Sequence, residues 1–155
     1  MIIKIKKLEK LIKITFKNKN LLLRSLTHKS FDKENNNEKL EFLGDRVIGL
    51  IISKRLLELY PDENEGIIDK KFANLVNKKT CAKVAAELNL GSFIKTGSSL
   101  KNIKMLNEKI LSDTCEALIG ALYIDQGFKA AEDFILKNWY TFIKSSSVTK
   151  IDSKT

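Results

Sequence analysis

Asn36-Asn37-Glu38-Lys39-Leu40-Glu41-Phe42-Leu43-Gly44-Asp45-Arg46-Val47-Ile48-Gly49-Leu50 decides the reading of this chain. It reads as a helix. From Leu40 to Leu57 apolar residues fall on nearly every side, the pattern of a buried helix. Glu41 and Asp45 lie one turn apart, so both side chains leave one face, and Glu38 joins them a turn earlier. At about 100° per residue that stripe runs on through Ile48 and Ile52, while Lys39, Arg46 and Ser53 mark the wet face. The acids therefore point where core residues belong. Unpaired buried carboxylates are costly. Something positive is expected to meet them, which is a reason to expect a metal ion.

A second segment has the same design. In Ile110-Leu111-Ser112-Asp113-Thr114-Cys115-Glu116-Ala117-Leu118-Ile119-Gly120-Ala121-Leu122-Tyr123-Ile124, Asp113 and Glu116 share a helix face, and Ala117 to Ile124 carries no charge. Gly44 and Gly49 on one helix and Gly120 on the other cost helix stability but permit close backbone approach. Packed together, the two helices would let four carboxylates converge. Such a cluster repels itself unless a cation sits within it. Oxygen-only ligands are hard and suit Mg²⁺ or Mn²⁺ over zinc or copper. Two acids at this spacing more often line a solvated face; the apolar neighbours and the second pair argue against that here.

Composition sets the outer bounds. With 155 residues, 43% of them apolar, the chain is one domain with a real core. One proline, seven glycines and little alternating pattern favour an all-α fold. Lys and Arg number 28 against 19 Asp and Glu, a net charge of +9 that suits a polyanionic partner. Only two cysteines (Cys81, Cys115) and one histidine (His28) are present, so zinc held by Cys and His is excluded. The cysteines read as reduced core residues. The N-terminus lacks the apolar run of a signal peptide, and no segment approaches a membrane span, so a cytoplasmic location is expected.

The periodicity predicts seven to eight helices: about 3–14, 21–27 with Asn20 as N-cap, 38–60 ended by Pro61, 65–77 capped by Asn64, 78–88 stopped near Gly91, 107–125 with Gly127 beyond it, and 129–143. Residues 91–106 read as irregular, with a turn at Gly97-Ser98-Ser99. Residues 145–155 read as a flexible Ser/Lys-rich tail.

Asn37 to Asp45 closely resembles the signature of the ribonuclease III family, and Ile110 to Ala121 resembles that family's second acidic motif. Leu26-Thr27-His28-Lys29-Ser30 is similar to a third family segment, in the same order and at the same spacing. The similarity spans about residues 5–144. It implies an all-α endonuclease domain over 1–144, a homodimer, and Mg²⁺-dependent hydrolysis of double-stranded RNA, with Mn²⁺ as a substitute ion. Products would carry 5′-phosphate and 3′-hydroxyl ends with short 3′ overhangs, in the processing of ribosomal or messenger RNA precursors. Carried over, the metal ligands would be Glu41, Asp45, Asp113 and Glu116, with Asp45 and Glu116 central to catalysis. Glu38 and Glu65 would support the site. Phe42 would enter a cavity on the partner subunit. No membrane or small-molecule cofactor is implied.

The chain departs from the family at Arg46, where many members carry a small residue, and at Asn107-Glu108-Lys109, where Arg-Glu-Ser is frequent. Bacterial members usually continue into a double-stranded-RNA-binding domain, and Lys150 to Thr155 resembles the linker before it. Two other functions compete. A non-cutting RNA-binding relative would have lost an acid, and all four are present. A redox carboxylate bundle needs Glu-x-x-His pairs, and His28 is expected to lie far from both acid motifs.

Overall fold

The computed structural model describes residues 2–98 and 107–148. Eight α-helices follow one another among them: α1 (Ile2–Ile12), α2 (Lys19–Ser25), α3 (Glu38–Leu59), α4 (Glu65–Val76), α5 (Lys78–Glu87), α6 (Glu108–Gln126), α7 (Phe128–Asn138) and α8 (Tyr140–Ser145). The only β-pairing among the described residues is an isolated parallel bridge between Thr27 and Lys95. The chain is all-α, as its patterning predicts.

The central event is the packing of α3 against α6, with α5 on the far side of α6 and α4 along α3. Ile48, Ile51, Ile52 and Leu56 of α3 meet Leu118, Ile119 and Leu122 of α6 in a fully buried core. At about 25 cal/mol per Å² of apolar surface, each such side chain contributes roughly 1.5–3 kcal/mol. Two glycines set the spacing. A Cβ on Gly44 would overlap the Glu116 carbonyl oxygen, and one on Gly120 would overlap the Leu40 carbonyl oxygen. The backbones therefore touch where the acids lie. Gly49 does not share this role: its nearest neighbour is the Phe72 ring of α4, 3.6 Å from where a Cβ would stand.

α3 is not buried all round. Lys39, Arg46 and Ser53 are exposed as expected, but Phe42 (60%), Leu50 (60%) and Leu57 (62%) share that side. This helix presents an apolar face outward, which is uncommon for a solvated surface. None of the described helices is long and apolar enough to cross a membrane.

Several ends differ from the periodicity, each for a local reason. α1 stops at Ile12 because Lys13 takes a left-handed conformation (φ 59°). Asn18, not Asn20, caps α2, its side chain accepting from the N–H groups of Asn20 and Leu21. The left-handed residue after α5 is Asn89 (φ 56°), and Gly91 lies inside a short 3₁₀ turn, Leu90–Phe93. Asn64 caps α4 as expected. The single helix expected over 129–143 is two, broken at Trp139. That ring is fully buried and its indole N–H donates to the Leu75 carbonyl at 2.8 Å. Phe142 packs against the core and Tyr140 is exposed.

Of the expected tail 145–155, Ser145 closes α8 and Ser146–Val148 form a 3₁₀ turn. The Ser146 carbonyl accepts from the buried Lys71 ammonium, and its hydroxyl meets Tyr60 Oη at 3.1 Å. These residues belong to the fold; 149–155 lie outside the described residues, as does part of the 91–106 segment. Cys81 and Cys115 are free and buried, and burial pushes the Cys81 thiol up to about 12, which makes it inert.

Candidate metal centre

The two acid-bearing helices are anchored at their starts. Asn37, buried ahead of α3, donates its side-chain N–H to the Ser25 carbonyl and its backbone N–H to the Thr27 carbonyl, both at 3.0 Å. Asn36 accepts Arg24 Nε on its carbonyl (2.9 Å) and the Glu38 N–H on its side chain (3.1 Å). These bonds pin the first turn of α3 to α2 and so aim Glu41 and Asp45. On α6 the Asn107 side chain accepts the Ile110 N–H at 2.8 Å, which begins the helix one turn before Asp113.

Glu41, Asp113 and Glu116 converge: each offers an oxygen, and these oxygens all lie within 4.8 Å of one another. Asp45 stands beside this trio. It interacts with Glu116 both through charge and through a side-chain hydrogen-bonding contact, but its side chain is 53% exposed and also meets Arg46 at 3.4 Å. The acids do not all point into the core, as the stripe suggested. Glu116 alone is buried; Glu41 and Asp113 are half-buried, and Glu38 and Asp45 are exposed. They line the edge of the α3–α6 seam, which leaves the cluster open to an ion and a substrate.

Glu38 pairs with Lys29 at 3.4 Å. Glu65 is exposed on the first turn of α4 and stands outside the trio. Phe42 is exposed, with the Arg46 guanidinium 3.9 Å above its ring centre. Arg46 thus does more than dissolve the helix face: it covers Phe42 and tethers Asp45.

Burial pushes the Glu116 carboxyl up to about 8, and the charges of Asp45 and Glu41 add to the effect. Burial also raises Glu41, and Asp113 adds to it. The folded metal-free protein therefore keeps a proton on Glu116 up to about pH 8, whereas the unfolded chain releases it near 4.5. Between those values the folded state binds more protons, so stability falls as pH rises. Discounted for the open side of the cluster, the loss is about 3 kcal/mol, or roughly 6–10 °C in thermal midpoint. His28, whose value is lowered, opposes this trend below pH 6.5. Thermal melts in chelator from pH 5 to 8 measure it. A midpoint that rises across that range rules out a strained, protonated Glu116.

His28 is not remote from the acids. The charges of Asp113 and Glu38 reach it, as do those of Lys29 and Lys109. Its value is lowered, by burial first and then by Lys29. His28 Nδ1 accepts the Ser30 N–H at 3.0 Å and meets Ser30 Oγ at 2.8 Å. Because Nδ1 accepts the Ser30 N–H it bears no hydrogen of its own, so Ser30 Oγ, which also accepts the Gly97 N–H (2.9 Å), donates to it, and the neutral ring carries hydrogen on Nε2. A Cβ on Gly97 would overlap the Ser30 carbonyl, and backbone bonds from His28 to Lys95 and from Lys95 to Leu26 complete the joint. The effect is a braced rim carrying Lys29 beside the acids. Periodicity gives no access to this pairing, although Leu26 to Ser30 stood out as a motif.

The donor set fits a hard divalent cation. Three carboxylates this close repel one another, and Glu116 answers by holding a proton. A Mg²⁺ or Mn²⁺ ion relieves the same repulsion with oxygen ligands alone. No described histidine or cysteine joins the trio.

A Ribonuclease-III-like family model matches residues 18–142. Among curated proteins, Ribonuclease 3 of Pelagibacter ubique is 55% identical over 96% of this chain and 67% of its own length. Ribonuclease 3 of Rhodopseudomonas palustris is 40% identical over 91% of this chain and 54% of its own. The chain thus spans between 54% and 67% of the length of these relatives. The nuclease domain of ribonuclease III from Campylobacter jejuni superposes with a TM-score of 0.84 at 43% identity, covering 92% of this chain and 97% of that one; that domain has a flexible region involved in dimer formation. With the family matched over most of the sequence and the nuclease-domain fold shared over 92% of the chain, this chain belongs to the ribonuclease III family.

Proposed function

We propose that this chain is a divalent-metal-dependent endoribonuclease domain that hydrolyses double-stranded RNA, leaving 5′-phosphate and 3′-hydroxyl ends with short 3′ overhangs. The reading rests above all on one observation: Glu41, Asp113 and Glu116, with Asp45 beside them, converge on a chain of net charge +9. An acidic pocket on a basic protein makes chemical sense when the substrate is a polyanion. Lysines attract the phosphate backbone, and the acids hold the ion that meets the scissile phosphate.

Glu41, Asp45, Asp113 and Glu116 would hold Mg²⁺, with Mn²⁺ as a substitute. Once bound, the ion supplies polarisation of the phosphodiester and acidifies water at the site. The protein's own part is to keep the carboxylates close and to accept the cost of their repulsion. Glu116 gives up its proton as the ion enters, so metal binding weakens below pH 8. Glu38 and Glu65 support the site, Glu38 through its exposed position one turn before Glu41. All four acids being present favours cutting over mere RNA binding.

The outward face of Phe42, Leu50 and Leu57 is proposed to join two copies. A C₂ dimer suits the substrate, because a duplex offers two antiparallel strands related by a dyad and each copy can cut one. A-form RNA displays its 2′-hydroxyls in a wide minor groove, so recognition reads shape and sugar rather than sequence. The catalytic domain would extend past residue 144 to include the Ser146–Val148 turn, which is bonded to Lys71 and Tyr60. Processing of ribosomal and messenger RNA precursors in the cytoplasm is the proposed setting.

Incubation of the purified chain with long duplex RNA, with and without Mg²⁺, is the direct test. Short duplex products that appear only with the ion are expected. Cutting that persists in excess chelator overturns the metal mechanism, and equal cutting of duplex DNA overturns the substrate.

A further inference from the structure

Three of the acids at or beside the cluster have a basic partner, but the partners differ. Arg46 meets Asp45, and Lys29 meets Glu38, each at a loose 3.4 Å. Lys109 Nζ meets Asp113 Oδ2 at 2.7 Å, one turn along α6, and is the closest of these three pairs. Its charge also reaches Glu41 and Glu116, so one ammonium faces the whole metal-binding trio. Asp113 is 24% exposed in this pair and Lys109 is 66% exposed. The lysine thus lies on the solvent side of the acid, where an RNA strand would arrive.

We propose that Lys109 is the resident counter-ion of Asp113: it occupies that carboxylate while no divalent ion is present, yields it when the ion binds, and then pairs with a phosphate of the RNA backbone. The inference rests on the reading of the cluster as the metal site of an RNA-cutting domain. The physical basis is a difference in strength. An exposed ion pair is worth little in water, and a lysine is a point charge on a flexible four-carbon stem, so it moves at low cost. A doubly charged ion among three carboxylates holds Asp113 far more firmly. Once displaced, the ammonium stays tethered beside the ion with no anion of its own, and a phosphate supplies one. Position 109 is also where this chain departs from the serine frequent in its family. A serine at this position could not act as a counter-ion.

Two opposed effects follow. Lys109 weakens metal binding, because the ion must displace it, and strengthens RNA binding once the ion is in place. The test compares the full chain with Lys109→Ser and Lys109→Arg. Mn²⁺ affinity is measured first by titration calorimetry without RNA. Lys109→Ser is expected to tighten it by about 3–10-fold, while Lys109→Arg leaves it equal or weaker than the unaltered chain. Steady-state cleavage of duplex RNA at saturating Mg²⁺ is measured second. There Lys109→Ser is expected to raise KM by about 3–10-fold with kcat within about twofold. The exposed position makes misfolding an easily checked matter, by thermal melting in chelator.

Unchanged or weakened Mn²⁺ binding in Lys109→Ser overturns the counter-ion role. Tightened Mn²⁺ binding with an unchanged KM overturns the phosphate contact. If the unaltered chain binds no Mn²⁺ at all, the proposed function falls instead, and the two failures are thereby told apart.

Discussion

Glu116→Gln is expected to lower the rate of duplex RNA cleavage by at least about 10³-fold, and at the same time to make the metal-free protein more stable at pH 8. Glutamine has nearly the same shape and fills the same buried position, but it cannot become an anion. The cluster loses a charged oxygen at its most buried point, where a divalent ion gains most from one. Stability moves the other way. At pH 8 the unfolded chain carries Glu116 as an anion, so folding must either return its proton or bury its charge, a cost of burial to which Asp45 and Glu41 add, and the substitution removes it.

The gain is about 3 kcal/mol, or roughly 6–10 °C in midpoint at pH 8, and close to nothing at pH 5, where Glu116 is already protonated in the fold. Melting curves at the two pH values, paired with a cleavage assay, read both effects. Activity within about tenfold of the unaltered chain means that the cluster is not the reacting site. A lower midpoint at pH 8 means that Glu116 serves the fold and carries no functional strain.

The acids were legible because their message is local. Spacing alone places Glu41 with Asp45, and Asp113 with Glu116, on shared helix faces, and the apolar surroundings declare that two helices must meet there. Spacing does not say how deep the faces sink. Asp45 faces solvent and Arg46 while Glu116 is buried, a difference set by the neighbouring helix and not by either motif.

Long-range partners were illegible for the same reason. Nothing near His28 in sequence announces Gly97 or Lys95, or reveals that Asp113 lies within its field. The split at Trp139 follows from a carbonyl at Leu75, far along the chain. Helix periodicity continues smoothly through that point, so only the packing reveals the break. The sequence does not announce that Asn36 and Asn37, just ahead of the acid-bearing helix, anchor it, because two asparagines look alike whether solvated or buried.

Alanine at Gly44 or Gly120 is expected to cost at least about 3 kcal/mol, whereas alanine at Gly49 is expected to add about 0.5–1 kcal/mol of stability. All three are helix residues, and on propensity alone each change should help. The packing reverses the sign at two of them. The added methyl would overlap a backbone carbonyl oxygen, that of Glu116 for Gly44 and that of Leu40 for Gly120. Backbone held in two packed helices cannot swing aside like a side-chain tip, so the α3–α6 seam must open. At Gly49 the methyl meets only the edge of the Phe72 ring, at ordinary contact distance.

Thermal melts should show midpoints lower by roughly 6–12 °C for the first two variants and higher by about 1–4 °C for the third. Function follows the seam. Glu116 is itself the residue whose carbonyl Gly44 touches, so parting the helices there pulls Glu41 away from Asp113 and Glu116. Mn²⁺ binding should weaken in Gly44→Ala at temperatures well below its midpoint, and should be untouched in Gly49→Ala. A Gly44→Ala protein that melts and binds the ion like the unaltered chain would mean that the two backbones do not meet as closely as the acid cluster requires.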